Sequence, residues 1–291
     1  MPTLLDFRRR IRSVKNTQQI TRAMKFVGAA KLRRAQDRVF AARPYARQML
    51  GVLRSAMSRI ESPLHPLMAR RPEERVLALV VTGDKGLCGA FNTNVLRRAQ
   101  EFLREHQGQS PAVVPVGKKG RDALRKRKAN LIAEYLNVST RVDFSQAKDM
   151  AEKIIGFYTR AEVDAVYAIY NEFKSVLAQR LVVERLLPID PEELRTEEGT
   201  AGAVAVDYIY EQTPAEIFDR LLPRHVETQV FRVLLESAAA EHAARMTAMD
   251  SATNNAADLI EQVTLHMNKV RQASITKEII EVVSGATSAT S

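Results

Sequence analysis

Residues Arg224–Val283 read RHVETQVFRVLLESAAAEHAARMTAMDSATNNAADLIEQVTLHMNKVRQASITKEIIEVV, with no proline and no glycine before Gly285. At 1.5 Å per residue a helix over this stretch spans roughly 90 Å, longer than the core of any globular domain of this size. Its apolar residues Met249, Ala252, Ala256, Leu259, Val263, Val270 and Ile280 follow the steps of three and four that mark a coiled-coil seam. His266 and Lys277 fall on seam positions and interrupt it, so pairing along the whole length is not expected. Upstream, Thr213-Pro214-Ala215-Glu216 supplies an N-cap threonine, proline at the first helical position and glutamate at the third. A short helix is expected to start there and to bend at Pro223.

A helix this long must project or find a partner, and the other end of the chain offers one. Thr3 and Asp6 form a capping-box-like start. Leu4, Phe7, Ile11 and Val14 then step by threes and fours. The register slips through the polar Asn16–Gln19, resumes at Ile20, Met24 and Val27, and runs on from Gly28 through Leu32, Ala35, Val39, Ala42, Ala46, Met49, Leu53, Ala56 and Ile60. Pro44 removes one backbone bond and is expected to kink the helix. Two helices of similar length, residues 1–60 and 213–286, are therefore expected to pair antiparallel.

Between them the pattern changes. Arg75–Thr82 (RVLALVVT), Ala112–Val116, Ile132–Val138, Ala165–Tyr170, Leu181–Leu187 and Val204–Tyr210 read as strands. Residues 94–107, 118–128 and 145–160 read as helices, and 190–202 as an exposed loop. Strands alternating with helices imply an at least partly parallel sheet with helices packed on it. The predicted fold class is α/β: long N- and C-terminal helices forming an antiparallel coiled coil, with an inserted Rossmann-like α/β domain over 73–211.

The net charge of +10 conceals where the charge lies. Residues 1–60 hold fifteen Lys and Arg against two acids, Asp6 and Asp37, a net of +13; the other 231 residues carry −3. Such a segment seeks an anionic partner: nucleic acid, an acidic membrane surface or an acidic protein surface. Cys88 is the one cysteine, so no disulfide framework exists within the chain. No run reaches the eighteen or so apolar residues of a spanning helix. The charged start lacks an apolar signal core and runs into the helical pattern, and a cytoplasmic location is expected.

No catalytic constellation emerges. The loop Gly83-Asp84-Lys85-Gly86-Leu87-Cys88-Gly89 follows a strand, where glycines let a phosphate approach backbone N–H groups. Its spacing is neither G-x-G-x-x-G nor a P-loop, and Val116-Gly117-Lys118-Lys119-Gly120 lacks the Ser or Thr that would meet magnesium. A tight turn whose glycines serve backbone geometry is favoured over nucleotide binding. Cys88 reads as a structural thiol, His225 and His242 as solvent or seam residues, and the scattered histidines form no metal-ligand pair. The expected catalytic, cofactor-binding and metal sets are empty.

Here the residues resemble a known family. Arg8-Arg9-Arg10-Ile11-Arg12-Ser13-Val14-Lys15-Asn16-Thr17-Gln18-Gln19-Ile20-Thr21-Arg22-Ala23-Met24-Lys25 resembles the opening of the gamma subunit of F-type ATP synthases. Asp84–Gly89 with Phe91-Asn92 is similar to its internal motif. Glu236-Ser237 through Asn254-Asn255-Ala256, and Asn268–Thr276, are similar to its C-terminal helix. The resemblance runs from end to end.

It implies a central-stalk rotor of a proton-translocating synthase, coupling rotation of the membrane ring of c subunits to the catalytic ring of three alpha and three beta subunits. The epsilon subunit would bind the foot domain, and ATP chemistry would lie on the other subunits. By the same resemblance Met24 and Lys25 lie where the N-terminal helix passes acidic levers of beta. Arg271, Gln272 and Thr276 lie where the C-terminal helix meets the catch loops. Arg8, Arg9, Arg10 and Arg12 form a basic collar suited to carboxylates on surrounding subunits. Plant-type members carry an inserted cysteine pair as a redox switch; a chain with Cys88 alone cannot, which favours a bacterial member at the cytoplasmic face of the plasma membrane. The alternative is a basic coiled coil that binds nucleic acid, although its arginine-rich segment has few aromatics for stacking.

Overall fold

The computed structural model describes residues 3–57, 65–139, 142–191 and 214–290. The chain forms two compact units, one from Met1–Gly28 with Met246–Ser291, the other from Ala29–Arg245. Two long helices contribute to both: α1, Leu4–Met57, and α5, Pro214–Thr290. Between them in sequence come β1 (Val76–Val81), α2 (Phe91–Glu105), β2 (Ala112–Val116), α3 (Lys118–Lys126), β3 (Asn130–Leu131), α4 (Phe144–Thr159), β4 (Ala165–Phe173) and β5 (Gln179–Leu187).

The α1 start closes as its sequence requires. Thr3 donates its N–H to the Asp6 carboxylate at 2.9 Å, and Asp6 returns its N–H to Thr3 Oγ1 at 3.3 Å. The Thr3 N–H, and the Thr3 hydroxyl donating to the same carboxylate at 2.7 Å, hold the Asp6 carboxyl below its ordinary pKa.

In the first unit α1 and α5 run antiparallel. Phe7 stands on His266 with ring centroids 5.1 Å apart. Thr21 and Thr253 share a hydroxyl–hydroxyl bond of 2.8 Å, and a Cβ on Gly28 would lie 3.5 Å from Met246. On α1 these residues, 7, 21 and 28, are spaced by multiples of seven, the repeat of a coiled coil. The register expected at Ile20, Met24 and Val27 is corrected: Ile20 and Val27 are 60% and 57% exposed, and the buried positions are Phe7, Thr21 and Gly28. The seam does not slip at Asn16–Gln19; it turns polar, because Gln18 and Thr21 face Thr253 and are hydrogen-bonded there. On α5, Met249, Ala256 and Val263 are buried as expected, whereas Ile280 is 59% exposed.

In the second unit the sheet order is β3-β2-β1-β4-β5, parallel except for the antiparallel β5. β1 is buried on both faces, as a parallel central strand must be. Val76, Ala78 and Val80 pack with Val95, Ala99 and Phe102 of α2 and with Leu124 of α3. Leu77, Leu79 and Val81 join the larger core with α4, with Val39, Met49 and Leu53 of α1, and with Val226, Val230 and Val233 of α5. At roughly 25 cal/mol per Å², such fully buried Leu and Val side chains each contribute about 1.5–3 kcal/mol.

Three further expectations are corrected. The strand expected over 132–138 is the two-residue β3 and a lone bridge from Val116 to Tyr135. α5 is one helix through Pro223, not a short helix followed by a long one. It also passes Gly285, since glycine mid-helix costs only about 1 kcal/mol relative to alanine. The strand expected over 204–210, the N-cap at 213, Ile60 and most of the loop 190–202 lie outside the described residues.

Candidate functional site

The nine residues expected to meet partners fall on the first unit. Arg8, Arg9, Arg10 and Arg12 are all exposed on α1, as are Arg271, Gln272 and Thr276 on α5. Because Phe7 stands against His266, the arginine set and Arg271 share one end of the helix pair. Met24 and Lys25 lie some 25 Å along α1 from Arg8, at 1.5 Å per residue. Met24 is half-buried. Lys25 is already engaged: its Nζ donates to Asp250 Oδ1 at 2.6 Å, with both side chains about two-fifths exposed (37% and 46%). Lys25 therefore presents a shared charge rather than a free one. Lys277 likewise pairs with Glu281 at 3.6 Å, one helical turn on.

From Arg271 through Ser284 every residue of α5 is exposed. Ile275, Ile279, Val282 and Val283 form an apolar stripe on that stretch, and Ile20, Phe26 and Val27 another group on α1. Exposed apolar patches of this kind mark interaction surfaces. Sequence reading passed over them because it assigned helical apolar spacing to the seam by default.

The second unit holds the glycine loop, residues 83–89, at the C-terminal end of β1. Asp84 is its fastener. Its carboxylate accepts the N–H of Lys118 at 3.0 Å, of Asn137 at 2.9 Å and of Ser139 at 3.4 Å, and the Ser139 hydroxyl at 3.0 Å. Asn92 bridges the loop from within: Oδ1 accepts from Gly83 N–H, and Nδ2 donates to Lys85 O and Cys88 Sγ. Cys88 is buried against Phe91 and Ala240, and burial, then the nearby Glu241, pushes its thiol pKa up. That is the structural thiol expected, not a nucleophile.

In open α/β sheets this end of the strands is where ligands bind. Here α5 covers it. The Glu241 side chain is 3% exposed and lies so close that a Cβ on Gly83 would sit 2.8 Å from its Cδ and 3.0 Å from each oxygen. Arg245, one turn on, pairs with Glu241 and reaches Gly86 O at 3.4 Å. The space left among Thr82, Val116, Ser139 and Glu241 is about 10 Å³. A phosphate at Gly83 would meet a carboxylate, so Gly83 serves close approach of this chain's own helix and Gly89, at a φ of 56°, serves the turn. The signal for this was visible as an i, i+4 Glu–Arg pair inside the alanine-rich SAAAEHAAR, residues 237–245.

His225 and His242, expected as solvent or seam residues, are both buried, which excludes the solvent alternative. Burial, aided by Arg232 for one and by Arg245 and Lys31 for the other, lowers both pKa values to about 4. No group of three or more His, Cys, Asp or Glu among the described residues is arranged to hold a metal ion. No helix among them is long and apolar enough to cross a membrane.

A family model described as ATP synthase matches residues 3–289. The chain is 54% identical to the ATP synthase gamma chain of Solibacter usitatus, over 99% of this chain and 100% of that one. With the ATP synthase gamma chain of Chlorobium phaeobacteroides it shares 49%, over 98% of each. Among solved structures, a chain from the central stalk and c-ring of the Tetrahymena thermophila mitochondrial ATP synthase aligns at a TM-score of 0.60 with 26% identity, over 80% of this chain and 99% of that one. A chain of the Euglena gracilis mitochondrial ATP synthase aligns at 0.68 with 21% identity, over 98% and 94%, a likeness of fold. The expected resemblance is thereby established over the whole length, and the chain belongs to the ATP synthase gamma chain family.

Proposed function

We propose that this chain is the central rotor of a proton-translocating F-type ATP synthase. The paired helices over 1–60 and 213–286 act as its shaft and the α/β domain over 73–211 as its foot. The end-to-end identity to gamma chains carries the reading. The long run of α5 from 271 to 284, exposed and bearing both polar and apolar side chains, supports it, because a shaft needs a surface that other subunits can grip. The partners are a ring of three alpha and three beta subunits around the shaft, and the c-ring and epsilon subunit at the foot. The chain is a peripheral subunit at the cytoplasmic face of a bacterial plasma membrane. Catalysis lies on the other subunits.

The shaft drives chemistry by differential contact. A turning asymmetric surface biases each beta subunit among binding, forming and releasing states only if it touches those states differently. Arg8, Arg9, Arg10 and Arg12 supply the forked donors for carboxylates at one end, with Arg271, Gln272 and Thr276 nearby. Met24 and Lys25 act further along, with Lys25 exchanging Asp250 for a partner carboxylate. With the family shown, the nucleic-acid reading of the basic segment is set aside.

Reconstitution with alpha and beta subunits tests this. One copy should enter each hexamer and make ATP hydrolysis cooperative. A chain that does not associate, or a hexamer indifferent to it, would end the proposal. Within an assembled hexamer, replacing Arg271, Gln272 and Thr276 by alanine should slow hydrolysis while leaving the chain's own melting temperature unchanged.

A further inference from the structure

The loop of residues 83–89 and helix α5 meet through more than apolar packing. The loop is held rigid by the Asp84 and Asn92 bonds, with Leu87 and Gly89 both at positive φ, 62° and 56°. On the helix side, Glu241 seats against Gly83 and Arg245 reaches Gly86 O. About a turn and a half earlier on the helix, Glu236 accepts the N–H of Phe173, at the end of β4, at 3.1 Å. Apolar surface of this extent would stabilise the domain without any buried charge, and a buried ion pair is weak evidence for stability. What a keyed charge adds is uniqueness. A helix packed by Ala and Val alone can rotate or slide by small steps, whereas a carboxylate seated against Gly83, where a Cβ would collide with it, has a single seat.

We infer that Glu241 is a positioning residue: an internal anion that occupies the ligand end of the sheet and locks the 214–245 part of α5 to the loop of residues 83–89, so that torque passes between them without slip. This rests on the rotor reading. Arg245 neutralises the anion and ties it to the loop carbonyl, so the lock keeps no net charge out of water. Space excludes any side chain at position 83 while Glu241 is seated.

The test uses the full-length chain in the reconstituted synthase with its membrane sector, in vesicles, reading ATP hydrolysis and ATP-driven ion pumping together. Gly83→Ala should unseat Glu241, leaving hydrolysis in place while the ratio of pumping to hydrolysis drops. Hydrogen exchange at the amides of residues 83–89 should speed about tenfold, the loss of one charge-assisted hydrogen bond. Adding Glu241→Asp to Gly83→Ala should restore the ratio, because the shorter arm withdraws from the new Cβ. A wild-type ratio and exchange in Gly83→Ala, or no rescue by Glu241→Asp, overturns the inference. If Gly83→Ala does not assemble, Glu241→Gln decides with the same two readouts: a lowered ratio supports the lock and an unchanged ratio sinks it. Failure of the rotor reading itself is seen separately, as a wild-type chain that leaves hydrolysis unaltered.

Discussion

At Gly117 a Cβ would lie 2.2 Å from the Thr82 carbonyl oxygen, with φ at 92°, so neither the space nor the backbone admits another residue. Around it the loops after β1 and β2 are sewn together by short polar side chains. Thr82 Oγ1 donates to Val116 O at 2.9 Å and accepts the N–H of Gly120 at 2.8 Å. Asp84 does the larger share, with three backbone N–H groups and one hydroxyl on a single carboxylate. Hydrogen bonds to a charged group contribute about 1.5–3 kcal/mol where a partner would otherwise be stranded. Asp84→Ala is therefore expected to lower stability by about 2–3 kcal/mol, and Asp84→Asn, which keeps one acceptor oxygen, by about half as much. Urea unfolding reads both, and an unmoved midpoint for the alanine variant would remove Asp84 from this role.

The long helices and the alternation of strand and helix were legible in the sequence because both rest on local periodicity and on the placement of proline and glycine. The α1–α5 seam was legible only in part. Apolar spacing picks out Ile20 and Val27, but those residues face away from the pair, and the seam at their level is made of Gln18, Thr21, Lys25 and Gly28. In a chain whose outer face also meets protein, hydrophobicity stops distinguishing inside from outside. Side-chain size and hydrogen-bond matching across the pair decide instead, and neither can be read from one helix alone. The residues proposed to face partners rest on resemblance, not on pattern. The Glu241–Arg245 pair is visible in the sequence, but that it seats on Gly83 needed three dimensions, since 158 positions separate Glu241 from Gly83.

Gly28 tests this account of the seam. A Cβ there would rest 3.5 Å from Met246, an ordinary contact. Gly28→Ala should thus raise the stability, read by urea unfolding, by up to about 1 kcal/mol from helix propensity. Gly28→Leu should lower the stability by about 1–3 kcal/mol through overpacking. Equal effects of the two substitutions would mean the helices do not approach closely at this point.

Across the whole molecule, charge and burial were separable from the start: the basic excess was plain in the sequence, while the buried histidines were not. His225 and His242 lie in alanine- and valine-rich helix, and only packing shows that both are enclosed. Their folded pKa values of about 4 lie below the ordinary 6.5. Between those values the unfolded chain binds protons that the folded chain refuses, so stability is full above pH 6.5 and is lost as pH falls toward 4. The pKa difference corresponds to on the order of 3 kcal/mol for each histidine. Glu227 works the other way. Burial raises its pKa, so the folded state takes up a proton first, and this offsets part of the loss near and above the carboxylate range. Burial also lowers the His65 pKa, in the same sense, so the net expectation is a urea midpoint that is flat from pH 8 to 6.5 and falls below it with a slope of about two protons or more. His225→Gln should reduce that slope by about one proton, or about 1.4 kcal/mol per pH unit. A midpoint that stays flat down to pH 4.5 in the unaltered chain would show that the two rings remain neutral, or reach water, in both states.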